Sequence, residues 1–253
     1  MAESLEQAWE LNQKGRNNII IGGNLWLKMG RRNIINAIDL SSLGLDKIEE
    51  DEGGFRIGCM ATLHDIETHE GLNKEFQNLF KEAVRHIVGV QFRNCATVGG
   101  SIFPKLGFSD VLTAFLACDT QVILYKKGEV SLREFIYMPL DNDILTHIYV
   151  KKDGRKTAYE SFRMTETDFP TLTCAMAMVD GRFETVLGAR PKHAEVVIDE
   201  ELADSLSKED VASYAKRVID KLQYGSNIRG SKQYRKQLSK VLISRCISRL
   251  TEE

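Results

Sequence analysis

Apolar positions along this chain fall into short continuous runs and helical spacings, separated by polar turns. Ser4-Leu5-Glu6-Gln7 has the Ser-x-x-Gln form of a capping box, and the helix it opens is expected to end at Gly15. Residues 18–21 read as a short buried strand running into Gly22-Gly23, and further strands are expected at 34–40, 55–59 and 121–125. Thr62-Leu63-His64-Asp65 opens another helix, 73–88 reads as a longer one, and Ser109-Asp110 begins a helix through Ala117. Strands follow at 144–150, 157–163, 172–179 and 182–188. Two helices close the chain. Ser207-Lys208-Glu209-Asp210 caps one, with Val211, Ala215, Val218, Ile219 and Leu222 on a single face. The other places Tyr234, Leu238, Val241, Leu242, Arg245 and Leu250 at near-helical spacing. The order is thus a mixed α/β stretch, then strands, then two helices, and the polar turn at residues 151–155 is the natural boundary.

Length changes this picture little: 253 residues suit one or two domains. A net charge of −2 gives no global reason to expect a nucleic-acid or membrane partner. No apolar run approaches the roughly 20 residues that span a bilayer, so no membrane span is expected. The start at Ala2-Glu3-Ser4 lacks a basic-then-apolar leader, which favours the cytoplasm. Cys59, Cys95, Cys118, Cys174 and Cys246 are odd in number and widely spaced, which argues against a disulfide framework, a zinc ribbon or a chain-borne iron–sulfur cluster. Buried reduced thiols are expected for most of them. His64 and His69 lie five apart, off a common helical face, so no metal site is expected.

Four segments could carry chemistry. In Ile19-Ile20-Ile21-Gly22-Gly23-Asn24 a strand delivers the backbone into two glycines, whose successors can turn N–H groups toward an anion. Gly-Gly after a strand is more often a plain turn, so this loop alone says little. Ala96-Thr97-Val98-Gly99-Gly100-Ser101-Ile102 repeats the pattern with small hydroxyl residues. Two such loops suit one long diphosphate gripped from both sides, although neither has the Gly-x-Gly-x-x-Gly spacing or a Gly-Lys-Ser/Thr end. Ser109-Asp110 reads as a helix N-cap, as a carboxylate facing a ribose or adenine edge, or as both. Between Lys216 and Arg249 ten basic residues face one acid, Asp220. The run lacks the interleaved aromatics of nucleic-acid modules and reads better as a solvated or subunit-docking face.

Taken together, these segments resemble the FAD-binding medium subunit of the molybdenum hydroxylases, the family of xanthine dehydrogenase and carbon monoxide dehydrogenase. In that family the first loop looks like Ala-Gly-Gly-Thr-Asp-Leu and the second like Ala-Thr-(Val/Ile)-Gly-Gly-Asn-(Ile/Leu); here they are residues 21–26 and 96–102. The match continues in order through 55–63, Ser109-Asp110, 143–146 and 161–163. It ends with Ile228-Arg229-Gly230-Ser231 and Tyr234-Arg235. The second loop and the Arg-Gly-Ser-x-x-Tyr-Arg run are its most specific parts. The latter separates the chain from other flavoproteins of that fold, such as the cell-wall enolpyruvyl reductases and vanillyl alcohol oxidases.

The resemblance implies an α+β fold. A two-lobed FAD-binding domain of the vanillyl-alcohol-oxidase/PCMH type would occupy residues 1–153, its lobes split near residue 52. A small C-terminal domain of antiparallel sheet plus helices would follow over 154–253, resembling that of the carbon monoxide dehydrogenase flavoprotein. Ile20, Ile21, Gly22, Gly23, Asn24, Leu25, Trp26 and Leu27, with Thr97, Val98, Gly99, Gly100 and Ser101, would hold the pyrophosphate and ribityl chain through backbone N–H groups. Thr62, Ala96 and Ser109 belong to the same implied site. Asp110 would face the adenosine part, and Leu145 and Arg163 match positions near the flavin ring. Arg163 stands where better-known members carry Lys, and a permanent cation there would favour the anionic reduced flavin. The chain would carry FAD but no catalytic residue and no metal. Electrons would reach it from a molybdopterin large subunit through 2Fe–2S clusters on an iron–sulfur small subunit, and leave to NAD(H) or another acceptor.

Two departures from the family stand out. Asn24-Leu25 and the bulky Trp26 replace the usual polar–acid pair. Segment 132–140 is short where relatives face a nicotinamide, with Tyr137 available to cover the ring. A non-catalytic scaffold subunit and a stand-alone NAD(P)H-dependent flavin reductase remain the alternatives.

Overall fold

Local capping sets the first elements. In the computed structural model, which describes residues 1–199 and 207–251, the Ser4 hydroxyl accepts from the Gln7 N–H and opens α1 (Leu5–Gln13). β1 (Asn18–Ile21) and β2 (Asn36–Asp39) then pair in parallel, with the short α2 (Leu25–Met29) between them. β1 is only half-buried along its length rather than buried, because this small sheet has a single partner strand.

A five-stranded antiparallel sheet follows. It is built from β3 (Ile48–Glu50), β4 (Gly54–Gly58), β5 (Thr120–Leu124), β6 (Gly128–Ser131) and β7 (Leu145–Lys151), in the order β3-β4-β7-β5-β6. Between β4 and β5 the chain makes α3 (Leu63–Thr68), α4 (Glu70–Glu75), α5 (Leu79–Val84), α6 (Val90–Arg93), α7 (Val98–Ile102) and α8 (Asp110–Leu116). α9 (Leu132–Phe135) covers the far edge. Phe55, Phe76, Phe80 and Phe115 stack through the middle of this part, and all are buried.

The last sheet runs β11-β10-β9-β8, antiparallel throughout: β8 (Lys156–Arg163), β9 (Pro170–Val179), β10 (Arg182–Gly188) and β11 (Glu195–Ile198). It is covered on both faces, which is why β9 is buried from Pro170 to Ala177 and reads as one apolar run. Leu172, Cys174 and Met176 face α10 (Lys208–Lys221) and α11 (Lys232–Thr251), whereas Ala175 joins the core of residues 2–150. Polar ties reinforce that junction: Thr113 Oγ1 meets Thr173 Oγ1 at 2.9 Å, and Arg155 Nη1 donates to the Ala117 carbonyl at 2.6 Å. The C-terminal stretch expected at 154–253 includes residues 200–206 and 252–253, which lie outside the described residues.

Two further expectations are corrected. The helix expected over 73–88 is broken, because Gln77 and Asn78 take positive φ (45° and 63°) and Gln77 Oε1 turns to accept from the Thr157 N–H. The buried face of α11 is Arg235, Ser239, Leu242, Ile243, Cys246, Ile247 and Leu250, so Tyr234, Val241 and Arg245 point outward. The apolar spacing misplaced that face because two polar side chains are buried with full sets of partners. Arg235 donates to Thr171 O, Gly230 O and Asn227 Oδ1, and Ser239 meets the Tyr224 hydroxyl at 2.8 Å. Buried reduced thiols, expected for most of the cysteines, are found at Cys59, Cys118, Cys174 and Cys246, with Cys95 exposed; burial pushes the Cys59 thiol up to about 12.

Candidate cofactor site

β1 ends in Gly22-Gly23, and the backbone then bends through two left-handed residues, Gly23 (φ 71°) and Asn24 (φ 56°), into α2. A side chain on Gly23 would meet the Cys95 carbonyl oxygen at 1.8 Å, so this turn requires glycine twice over. None of the backbone N–H groups from Gly22 to Leu27 finds an acceptor among the described residues, and Gly23 and Asn24 are exposed. Six successive free donors beside a solvent-open turn form a nest of the kind that binds phosphate oxygens.

The second loop faces the first. A Cβ on Gly22 would lie 2.4 Å from Thr97 Oγ1 and 3.6 Å from Gly100 Cα, so the two glycine pairs interlock. The N–H groups of the second loop are spent inside the protein, however. Val98 donates to Ala61 O, Gly99 to Cys59 O, Gly100 to Thr97 Oγ1 and Ser101 to Thr97 O. Ala96, Thr97, Val98 and Gly99 are buried. Backbone donation from Val98 through Ser101, expected from the resemblance, is therefore corrected: these residues buttress the first loop, and of this stretch Thr97 keeps a free N–H. Thr62 is likewise committed, its N–H and hydroxyl both donating to Asp65 in a capping box. Ser109 caps α8 and ties its own hydroxyl to the Ser101 carbonyl at 3.0 Å.

Asp110 and Arg163, expected at the adenosine and ring ends of the cofactor, are neighbours. Arg163 Nη2 lies 2.7 Å from Asp110 Oδ1, both side chains are almost fully buried, and the Tyr159 hydroxyl donates to the same oxygen at 2.5 Å. Burial pushes the Asp110 carboxyl up, with Arg163 and Tyr159 pulling it back, and raises the Tyr159 phenol well above its usual range. The permanent cation expected at Arg163 has Asp110 as its ion-pair partner. Among the described residues, buried Arg163 Nε has no acceptor. Leu145 begins β7 and is buried in the larger core. Tyr137 is exposed and packs edge-on against His193, with ring centroids 5.5 Å apart.

Sequence reasoning missed one group. The Trp26 ring packs on Phe169 at 5.1 Å and on Phe108 at 5.2 Å, and the Arg229 guanidinium sits 4.8 Å over the Phe169 ring. Phe108 directly precedes Ser109-Asp110, and Phe169 precedes Pro170, the register partner of Arg163. Trp26 was expected at the site with the first glycine segment, but Phe108 and Phe169, isolated aromatics in loops, carry no periodic signal. A separate cleft of about 740 Å³, lined by His64, Glu67, Asn73, Lys74, Lys81 and Arg93 among others, does not reach the glycine loops.

The free donors, the interlocked glycines and the orphaned Arg163 Nε together fit an extended diphosphate-linked cofactor. Comparison with known proteins agrees. Residues 1–150 match the family described as the FAD binding domain in molybdopterin dehydrogenase. The chain is 26% identical to the glyceraldehyde dehydrogenase medium chain of Sulfolobus acidocaldarius, over 95% of this chain and 93% of that one. Quinoline 2-oxidoreductase from Pseudomonas putida 86 shares the fold at a TM-score of 0.89 and 18% identity, covering 98% of this chain and 94% of that chain. Carbon monoxide dehydrogenase from Hydrogenophaga pseudoflava does so at 0.84 and 22%, with coverage of 98% and 94%. The chain thus belongs to the FAD-binding family of the molybdopterin dehydrogenases, as the flavoprotein subunit of a molybdenum-hydroxylase-type oxidoreductase.

Proposed function

We propose that this subunit is the electron relay of a heteromeric complex. It would accept electrons from 2Fe–2S clusters on a small partner subunit, downstream of molybdopterin chemistry on a large one, and pass them to NAD or another acceptor. The observation that carries the reading is the run of unpaired N–H groups from Gly22 to Leu27, set against the second glycine loop. FAD, when bound, supplies the electron exchange itself. This chain's part is to grip the pyrophosphate from Gly22 to Leu27, hold that turn against Thr97 and Gly100, and present the Asp110–Arg163 pair. The name of the glyceraldehyde dehydrogenase medium chain, one chain among several, supports assembly with partners. A division into residues 1–153 and 154–253 is supported by the family match ending at 150 and by β8 starting at Lys156. Cys174 and Cys246, buried 3.8 Å apart as free thiols, suit the reducing cytoplasm.

The visible absorption spectrum of the purified chain and of its complex, with FAD added and then anaerobic NADH, tests this. Stoichiometric flavin bands that bleach with NADH support the relay with nicotinamide as acceptor. Bands that bleach only with a chemical reductant keep the relay and exclude NADH. Absence of flavin from both preparations would leave a scaffold subunit instead.

A further inference from the structure

Among the described residues three buried side-chain polar atoms have no hydrogen-bond partner: Arg163 Nε, Thr171 Oγ1 and Arg229 Nε. Buried donors are rarely left unpaired without a reason. These three share one corner of the fold. Arg163 ends β8 opposite Pro170, Thr171 follows Pro170, and Arg229 lies over Phe169. Each guanidinium is fixed through its outer nitrogens, Arg163 by Asp110 and Ser161, Arg229 by Asp168 at 2.9 Å, and each leaves its Nε–H over. The same corner holds the Trp26–Phe108–Phe169 cluster, in which Trp26 keeps 40% of its surface exposed.

From this juxtaposition we infer that the cluster is the seat of the isoalloxazine ring. Trp26 stacks on the tricycle, and Arg163, Arg229 and Thr171 donate to its pyrimidine edge. An aromatic face with unpaired N–H and O–H donors at its margin calls for a flat heterocycle with acceptors along one side. The flavin's pyrimidine edge carries two carbonyl oxygens beside ring nitrogens. Adenine, at the other end of the same cofactor, has no carbonyl oxygen to offer. Trp26 lies two residues past the Gly23-Asn24 turn, so a pyrophosphate on the Gly22–Leu27 nest leaves the ring end within reach of the cluster. The departure Asn24-Leu25-Trp26 thereby acquires a function: where the family has a polar–acid pair and an aliphatic residue, this chain supplies an aromatic platform. The inference rests on the flavin reading above and names the residues that receive the ring.

Flavin emission tests it, because an indole in contact with a photoexcited flavin quenches its fluorescence and a phenylalanine does not. FAD bound to the wild-type chain, or to the Trp9→Phe variant, is expected to be nearly dark. Trp26→Phe keeps a ring in the cluster and is expected to raise flavin emission at least about threefold at equal occupancy. In competition titrations Trp26→Ala is expected to weaken FAD and riboflavin by about tenfold, the order of one lost stack, and ADP by less than about twofold. Bright flavin in the wild type, unchanged emission in Trp26→Phe, or ADP weakened as much as riboflavin overturns the seat and leaves FAD binding intact. Absence of FAD from both the chain and its purified complex defeats the flavin reading itself, and the seat with it.

Discussion

The two Gly-Gly loops share a sequence pattern and do opposite work. The first is exposed at Gly23 and Asn24, bends through these two left-handed residues and leaves its N–H groups without an acceptor among the described residues. The second is buried and spends its donors on Cys59, Ala61 and Thr97. One loop is a donor surface and the other its support. A dipeptide that permits close approach does not say whether a ligand or the protein's own backbone makes that approach; the surrounding hydrogen bonds decide.

The sharpest way to break this contrast is Gly23→Ala. The left-handed φ and the Cβ position 1.8 Å from Cys95 O force the backbone to move. A cost of about 2–4 kcal/mol in urea unfolding, with FAD occupancy falling to near zero, is expected. If the first loop alone donates, added FAD at 100 times its Kd stabilises the wild type by about 2.7 kcal/mol and Gly23→Ala by almost nothing, measured as thermal shifts. Gly99→Ala places a Cβ 2.7 Å from both Cys59 Cβ and Cys59 O. About 2 kcal/mol of stability should be lost through overpacking. The folded fraction should still bind one FAD per chain, and loss of stoichiometry there would mean that both loops donate. Thr97→Ala removes the cap of α7 and should cost about 1 kcal/mol, leaving FAD affinity within about twofold by titration.

The smallest effect concerns pH. Arg93, just before the second loop, grips Glu67 through two hydrogen bonds of 2.7 and 3.0 Å. Burial raises the Glu67 carboxyl, but Arg93 and His64 outweigh it and leave it below its usual 4.5. A carboxylate lowered by folding lends stability that is fully present above pH 4.5 and is lost as pH falls through its folded value. Melting curves between pH 6 and 3 should therefore drop further for the wild type than for Glu67→Gln. Parallel curves would show that the pair contributes nothing.

Much of the architecture was legible along the chain because it rests on local chemistry. Ser4, Thr62, Ser109 and Ser207 cap the helices their patterns announced, since a cap needs only an N–H two or three residues on. Strands β7 to β10 lie within a residue or two of the apolar runs that predicted them. The missed strands β3, β6 and β11 are all sheet edges, where short polar segments blunt the alternating signal. The short α2, α6 and α9 offer too few residues for a period to show.

At the candidate site the division is similar. The sequence alone determined that two glycine pairs, a Ser-Asp cap and an arginine belong to one family pattern, because those residue types are demanded by backbone geometry and charge. Tertiary structure decided the rest. It joined Asp110 to Arg163, a pair 53 positions apart whose burial makes the charge of each depend on the other. It turned the polar Arg235 inward, where four acceptors replace its hydration. It gathered Trp26, Phe108 and Phe169 from three separate segments into one surface. Contacts between residues far apart in the chain follow from how the sheets stack, and no local pattern of apolar and polar positions encodes them.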